Sequence, residues 1–322
     1  MLRYGLNALD CSRGGLAQLR HLANRVMAPP IRSARGSRKE IFVRMRSIGL
    51  GVTVVAVAFL VALPVGAQAP TSASTWDPPR RADGQPNIEG MWTGGGGATT
   101  YSIEAGDEDR RVHLGITGQI TDAKGIIVDP PDGRIPYQPW AAAKRKDIHE
   151  NHTNPPTIDY IDPVARGCFL SGVPRVNYQG GNVQRILQPP GYVVMIHEFQ
   201  HSYRVIPVNG RPPLGETFKL WMGESRGRWE GTTLVVEVTN HNDKTWFDIV
   251  GGFHSDALRV VERWTFVDAN TLAYEATLED PKTFARPWTI KIRPFTREKM
   301  TYEQWEDACV EGNRSLGLML RK

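Results

Sequence analysis

Apolar and polar positions alternate with period two over Leu258–Val267. A second alternating run, Thr271–Glu279, follows across the turn Asp268–Asn270. Leu258, Val260, Glu262, Trp264 and Phe266 fall on one face, and Leu272, Tyr274, Ala276 and Leu278 on the facing strand, which is the pattern of a half-buried antiparallel pair. Upstream, the stretch 219–240 closes an apolar run at Leu220-Trp221, is punctuated by Gly223, Gly227 and Gly231, and enters the β-branched run Leu234–Thr239; it reads as the start of a meander. Val183–Gln188 and Tyr192–Val208 are two further strands, separated by Pro189-Pro190-Gly191, and Trp288–Ile292 is another beyond the breaker Asp280-Pro281. A Gly-x-Trp on a short first strand, Gly90-Met91-Trp92, is also what lipocalin-like barrels carry. Pro139–Glu150 has proline near its first turn and a helix-forming middle. The expected fold is therefore mainly β: an antiparallel meander of five or six strands, concentrated in 183–306, forming a lipocalin-like barrel or half-barrel. One helix in the N-terminal half, long loops and a short helix after Asn313 complete it.

Charge changes the picture only after the N-terminus is set apart. Ile48–Gly66 is uninterrupted and apolar, follows Arg44 and Arg46, and ends in small residues. This is a signal-peptide pattern with cleavage after Ala67, the rival being a retained membrane anchor. Residues 1–44 precede Met45, which would itself open a signal peptide of ordinary length, so 1–44 are read as a non-native upstream extension. The expected order is then 1–44 extension, 45–67 signal peptide, 68–86 linker, and 87–322 one β-rich domain. Residues 1–69 hold ten Lys/Arg and two Asp/Glu; removing their +8 from the formal +5 leaves about −3 for the mature chain. The electrostatic case for a nucleic-acid partner goes with them, and the membrane is met only transiently, through the signal peptide. A periplasmic or secreted location follows, and there an even cysteine pair, Cys168 and Cys309, reads as one disulfide. Two separately buried thiols are the alternative. No CxxC or Cys/His cluster occurs, and no cofactor is called for.

His197-Glu198-Phe199-Gln200-His201 fits the HExxH expression of zinc peptidases, which requires both histidines one turn apart on a helix. The flanks favour a strand, where the two rings would lie roughly 13 Å apart, so no metal is assigned and a zinc hydrolase stays a minor alternative. On one continuous strand Met195, His197, Phe199, His201 and Tyr203 would share a face and suit a pocket wall, or else merely pack. The loop 240–256 concentrates His241, Asp243, Lys244, Asp248, His254 and Ser255 around Trp246, Phe247 and Phe253. His254 is a candidate acid/base oriented by Asp248 or Glu262; the bland alternative is an ordered connector. Trp264 and Trp288 read as core, while Trp221, Trp229 and Trp246 are open between core and ligand stacking. Ser225–Arg228 reads as a hairpin turn, with Arg226 as an anion contact the minority reading.

The motifs Trp76–Arg80 (WDPPR), Asp132–Tyr137 (DGRIPY), Gly172–Arg175 (GVPR), Trp221–Val236 (WMGESRGRWEGTTLVV), Asp243–Asp248 (DKTWFD) and His254–Thr265 (HSDALRVVERWT) span most of the mature chain. Together they resemble a family of exported bacterial β-rich proteins with no assigned catalytic residues. The resemblance implies secretion and a predominantly β fold. Members often carry Tyr where this chain has His197, whereas His201 and His254 match the family pattern. The first functional expectation is an exported barrel binding a small-molecule or carbohydrate ligand through Tyr203, Trp221, Arg226, Lys244 and Trp246. The second is a secreted lyase, isomerase or hydrolase in the same pocket, with His201 or His254 as base and Glu198 or Asp248 as its partner. A third, an envelope interaction protein, would present an exposed apolar patch.

Overall fold

The computed structural model describes residues 76–94, 101–106, 125–179, 183–299, 301–314 and 317. The expected extension and signal peptide, the first part of the expected linker, and nearly all of the expected C-terminal helix lie outside them. Eleven strands form one antiparallel sheet: β1 (Gly90–Thr93), β2 (Ile127–Asp129), β3 (Val183–Leu187), β4 (Tyr192–His197), β5 (Tyr203–Pro207), β6 (Glu224–Glu230), β7 (Thr233–Thr239), β8 (Arg259–Asp268), β9 (Thr271–Glu279), β10 (Trp288–Lys291) and β11 (Phe295–Arg297). The ladder runs β5-β4-β3-β1-β11-β9-β8-β7-β6, with β10 joining β9 to β2. Its first and last strands come side by side, so the sheet is a nearly closed barrel. Gly227 makes that approach possible. A Cβ there would lie 2.8 Å from Val208 and 2.9 Å from Ile206, the residues that pack onto β6 across the seam.

The alternation read from β8 and β9 is realised position by position: Val260, Glu262, Trp264, Leu272, Tyr274, Ala276 and Leu278 are all inward and essentially inaccessible. Trp264 and Trp288 belong to the core, as expected, and the core continues through Leu234, Val236, Met195, Ile206 and Phe295. Trp92 is fully buried and lies under the Arg297 guanidinium at 4.2 Å. Arg297 also donates to the Glu89 and Ala269 carbonyls, which ties the last strand over the first. Trp76, within the expected linker, packs edge-on against Phe266. The segment 171–179 is buried throughout and plugs the barrel, so the interior is filled rather than hollow.

Three expectations need correction. The strands number eleven among the described residues rather than five or six, because short segments such as β1, β2 and β11 carry too few residues to show an alternation. The run 192–208 is not one strand. Backbone at Gln200 (φ 60°) and His201 (φ 48°) turns left-handed, and Glu198–Ser202 is the connection of the β4–β5 hairpin. The five-residue turn exchanges odd for even positions: Met195 and Arg204 face each other inside, while Tyr203 points outward. Met195, His197, Phe199, His201 and Tyr203 therefore share no face. Ser225–Arg228 is likewise not a turn but the body of β6; the turn sits at Gly231 (φ 61°).

The helix α1 (Pro139–Asn151) matches its expected span, and a second, short helix, α2 (Pro163–Gly167), is capped by the Asp162 side chain. Cys168, just after α2, is bonded to Cys309 across 141 residues. Replacing both cysteines with serine is expected to lower stability by about 2–4 kcal/mol, since the cross-link removes loop freedom from the unfolded chain. Urea midpoints of the oxidised protein and the double variant check this.

Candidate functional site

Glu262 stands alone as a carboxylate among inward apolar positions of β8, and burial obliges it to find partners. It finds four donors. Arg204 from β5 gives Nη1 to Oε1 at 3.0 Å and Nη2 to Oε2. Asn177 Nδ2 from the plug and Tyr274 Oη from β9 reach Oε1 at 2.9 and 3.0 Å. Arg204 Nη2 also donates to Ser225 Oγ at 3.0 Å, bridging β5 to β6 where the backbone ladder stops. The pair is neutral as a unit. Burial, then the Glu262 charge, hold the Tyr274 hydroxyl well above its ordinary pKa.

His197, beside this pair, is pushed down to about 3 by burial and by the Arg204 charge, so its ring is neutral. Neither ring nitrogen of His197, nor the side-chain amide of the neighbouring Gln184, meets a hydrogen-bond partner among the described residues. Buried polar atoms of this kind are ordinarily satisfied. His241 and His254 stand edge to face at 5.8 Å, and burial depresses both.

The outer side of the same network is a pocket of about 590 Å³ at the seam. Arg204 and Ser225 lie at its base, Tyr192 and Tyr203 on one wall, and Leu214 and Met222 on the other. Its rim charges are engaged: Arg226 contacts Glu224 and donates to the Pro212 carbonyl, and Arg211 donates to the Tyr192 hydroxyl at 3.1 Å. No histidine lines it. Tyr203 and Arg226, two of the expected ligand contacts, meet here. Trp221 stacks on Phe169 at 5.0 Å instead, although its neighbours Leu220 and Met222 line the pocket. Trp246 packs with Phe253 against α1, and Lys244 is exposed on the loop.

The expected His254–Asp248 pair is not formed. His254 Nε2 lies 2.6 Å from Thr245 Oγ1 and its Nδ1 meets the Ser255 carbonyl. Asp248 accepts from Gly252 N at 2.7 Å and lies 3.6 Å from Arg145 on α1. Glu262, the other partner considered for His254, is taken by Arg204. The HExxH residues divide as the hairpin turn requires: His197 is inside the barrel and His201 is exposed, 3.8 Å from Glu306. His197 ends β4 and His201 lies in a kinked 3-10 turn, so the two are not one turn apart on an α-helix as a peptidase zinc needs. Glu198 accepts the Tyr302 hydroxyl at 2.9 Å and the Trp305 amide.

A second pocket, about 630 Å³, lies beside α1 and is lined by Glu104, Arg134, Tyr137, Arg145 and His149. Arg145 Nη2 stands between Glu104 Oε2 at 3.7 Å and Asp248 Oδ2 at 3.6 Å. Burial raises the Glu104 carboxyl against the lowering effect of Arg145. Sequence reasoning missed Arg204, Asn177, Tyr274 and Glu104. A signal did exist for the first, since Arg204 is the lone charge in β5 and Glu262 the lone charge on the inward face of β8. No protein-family model, curated protein or solved structure matches the chain.

Proposed function

We propose that this chain is an exported binding protein for a neutral, hydroxyl-bearing small molecule, a sugar ring in the simplest case, held in the seam pocket. The observation that carries the reading is the pairing of aromatic walls, the exposed Tyr203 and the half-buried Tyr192, with a polar base already neutralised, Arg204 with Glu262, and Ser225. Such a site favours a ligand with an apolar face and several hydroxyls, and its charges are paired as Arg204 with Glu262 and Arg226 with Glu224, leaving Arg211 on the Tyr192 hydroxyl at the rim. The filled interior disfavours a long alkyl chain inside the barrel. Export rests on the leader pattern alone. Titration calorimetry against neutral mono- and oligosaccharides tests the reading. Tyr203→Ala is expected to weaken binding by ~10-fold, about 1.4 kcal/mol, with the urea midpoint unchanged, because Tyr203 is exposed. Wild-type affinity in that variant would contradict it.

A second reading, an acid–base enzyme, draws on the α1 pocket rather than on the histidines. There a carboxyl whose pKa burial raises shares a guanidinium with a second carboxylate, the kind of arrangement general acid catalysis uses. Turnover abolished in Glu104→Gln, with sugar affinity at the seam intact, would favour it.

A further inference from the structure

We infer that the ligand is a linear glycan of several rings, lying across the outer face of β4 and β5 from the seam pocket to Trp305; this rests on the sugar-binding reading above and extends it. The seam pocket does not end at Tyr203. The same side chain is one wall of a further pocket of about 530 Å³, completed by Val194, Ile196, His201 and Trp305. The two are thus one cleft with Tyr203 at its middle. Along the sheet Tyr192 stands opposite Pro207 and Tyr203 opposite Ile196, so the two tyrosines are four positions apart, ~13 Å, more than one sugar ring spans.

The far wall is built to hold an exposed indole. Trp305 is 75% accessible and Tyr203 67%, so burial of these rings does not fix the tail in place. Polar and covalent contacts do. The Trp305 amide and Tyr302 hydroxyl donate to Glu198, Gln304 Nε2 donates to the Ile196 carbonyl at 3.0 Å, and Cys309 is bonded to Cys168. The chain anchors this segment and leaves its aromatic ring facing solvent beside Tyr203. Exposed aromatic faces in a row, flanked by engaged polar groups, suit the alternating apolar and hydroxyl surfaces of a neutral polysaccharide.

Other polymers fit less well. Both edges of β4 are already paired, and although β5 and β6 share no backbone ladder, Ile206 and Val208 pack onto Gly227 and leave no room for a peptide strand to enter between them there. Glu224 is paired with Arg226, Glu198 is bonded to the tail, and the charges left over, Arg211 and Glu306, are one of each sign at opposite ends of the cleft, so no run of like charge awaits an ionic polymer.

The test is calorimetry on the disulfide-bonded full-length secreted protein with glucose and N-acetylglucosamine oligomers of one to six rings, α- and β-linked. Affinity is expected to rise ~10-fold or more between the dimer and the hexamer. Trp305→Ala should remove most of that rise while leaving dimer affinity within ~2-fold, and Tyr203→Ala should weaken both. Equal affinity for dimer and hexamer, or a hexamer affinity untouched by Trp305→Ala, would overturn the extended cleft and leave the single-ring site standing. Absence of binding by every oligomer would overturn both. A far-ultraviolet spectrum and urea midpoint for Trp305→Ala, unchanged from wild type, separate lost contact from lost fold.

Discussion

Glu262→Ala will lower the unfolding free energy by about 3–5 kcal/mol, because it strands Arg204 as an unpaired buried cation. The side chains of both residues are essentially inaccessible, and the carboxylate also satisfies Asn177 and Tyr274. The loss is larger than the worth of the pair itself, since two desolvated charges repay each other only in part. Arg204→Met combined with Glu262→Leu is accordingly expected to recover much of the stability lost in either single variant. Urea denaturation of the two singles and the double gives the coupling directly. Additive losses in that cycle would mean that the two side chains act independently.

Acid will destabilise the protein from about pH 6.5 downward, well before the carboxylates protonate. In the unfolded chain His197 takes up a proton near its ordinary value, while in the barrel it is held down to about 3. Between those limits the unfolded state binds more protons, so stability rises with pH and is lost as pH falls, at up to 1.4 kcal/mol per unit. Over the whole window His197 alone accounts for about 4–5 kcal/mol. His241 and His254 are depressed as well and act in the same direction. Glu104, whose pKa is raised, opposes them, with stability lost as pH rises through its folded value. Urea midpoints measured from pH 7.5 to 4.5 check the slope, and His197→Gln is expected to flatten it. An unchanged slope in that variant would place the proton uptake elsewhere.

What could be read from the chain was whatever a local pattern encodes. Period-two alternation placed Trp264, Phe266, Leu272 and Tyr274 in the core without any knowledge of partners, and Pro139 marked its helix. The cysteine count gave the pairing of Cys168 with Cys309 because only one pair is left once Cys11 is set apart with the N-terminal leader. The β4–β5 turn was hidden for a physical reason. Gln200 and His201 adopt left-handed backbone without a glycine to announce it, held by the Gln200 side chain on Ser171 and Phe169 and by Asp307 on the Gln200 amide. One misplaced turn then reversed which of Tyr203 and Arg204 points inward. The polar centre was hidden for another reason. Arg204 and Glu262 are 58 positions apart and Asn177 and Glu262 are 85 apart, so they meet only because the sheet closes. Likewise, Asp248 and His254 lie close in sequence, yet the loop sends one to Arg145 and the other to Thr245.

The seam between β5 and β6 as the binding site is tested most directly by amide hydrogen exchange with and without the tightest-binding oligosaccharide of the panel. The expected result is slowed exchange confined to Tyr203–Pro207, the first half of β6 and the segment around Trp305. Protection concentrated instead on α1 and on residues 134–137, with β5 and β6 unchanged, would move the site to the Glu104 pocket and contradict the assignment.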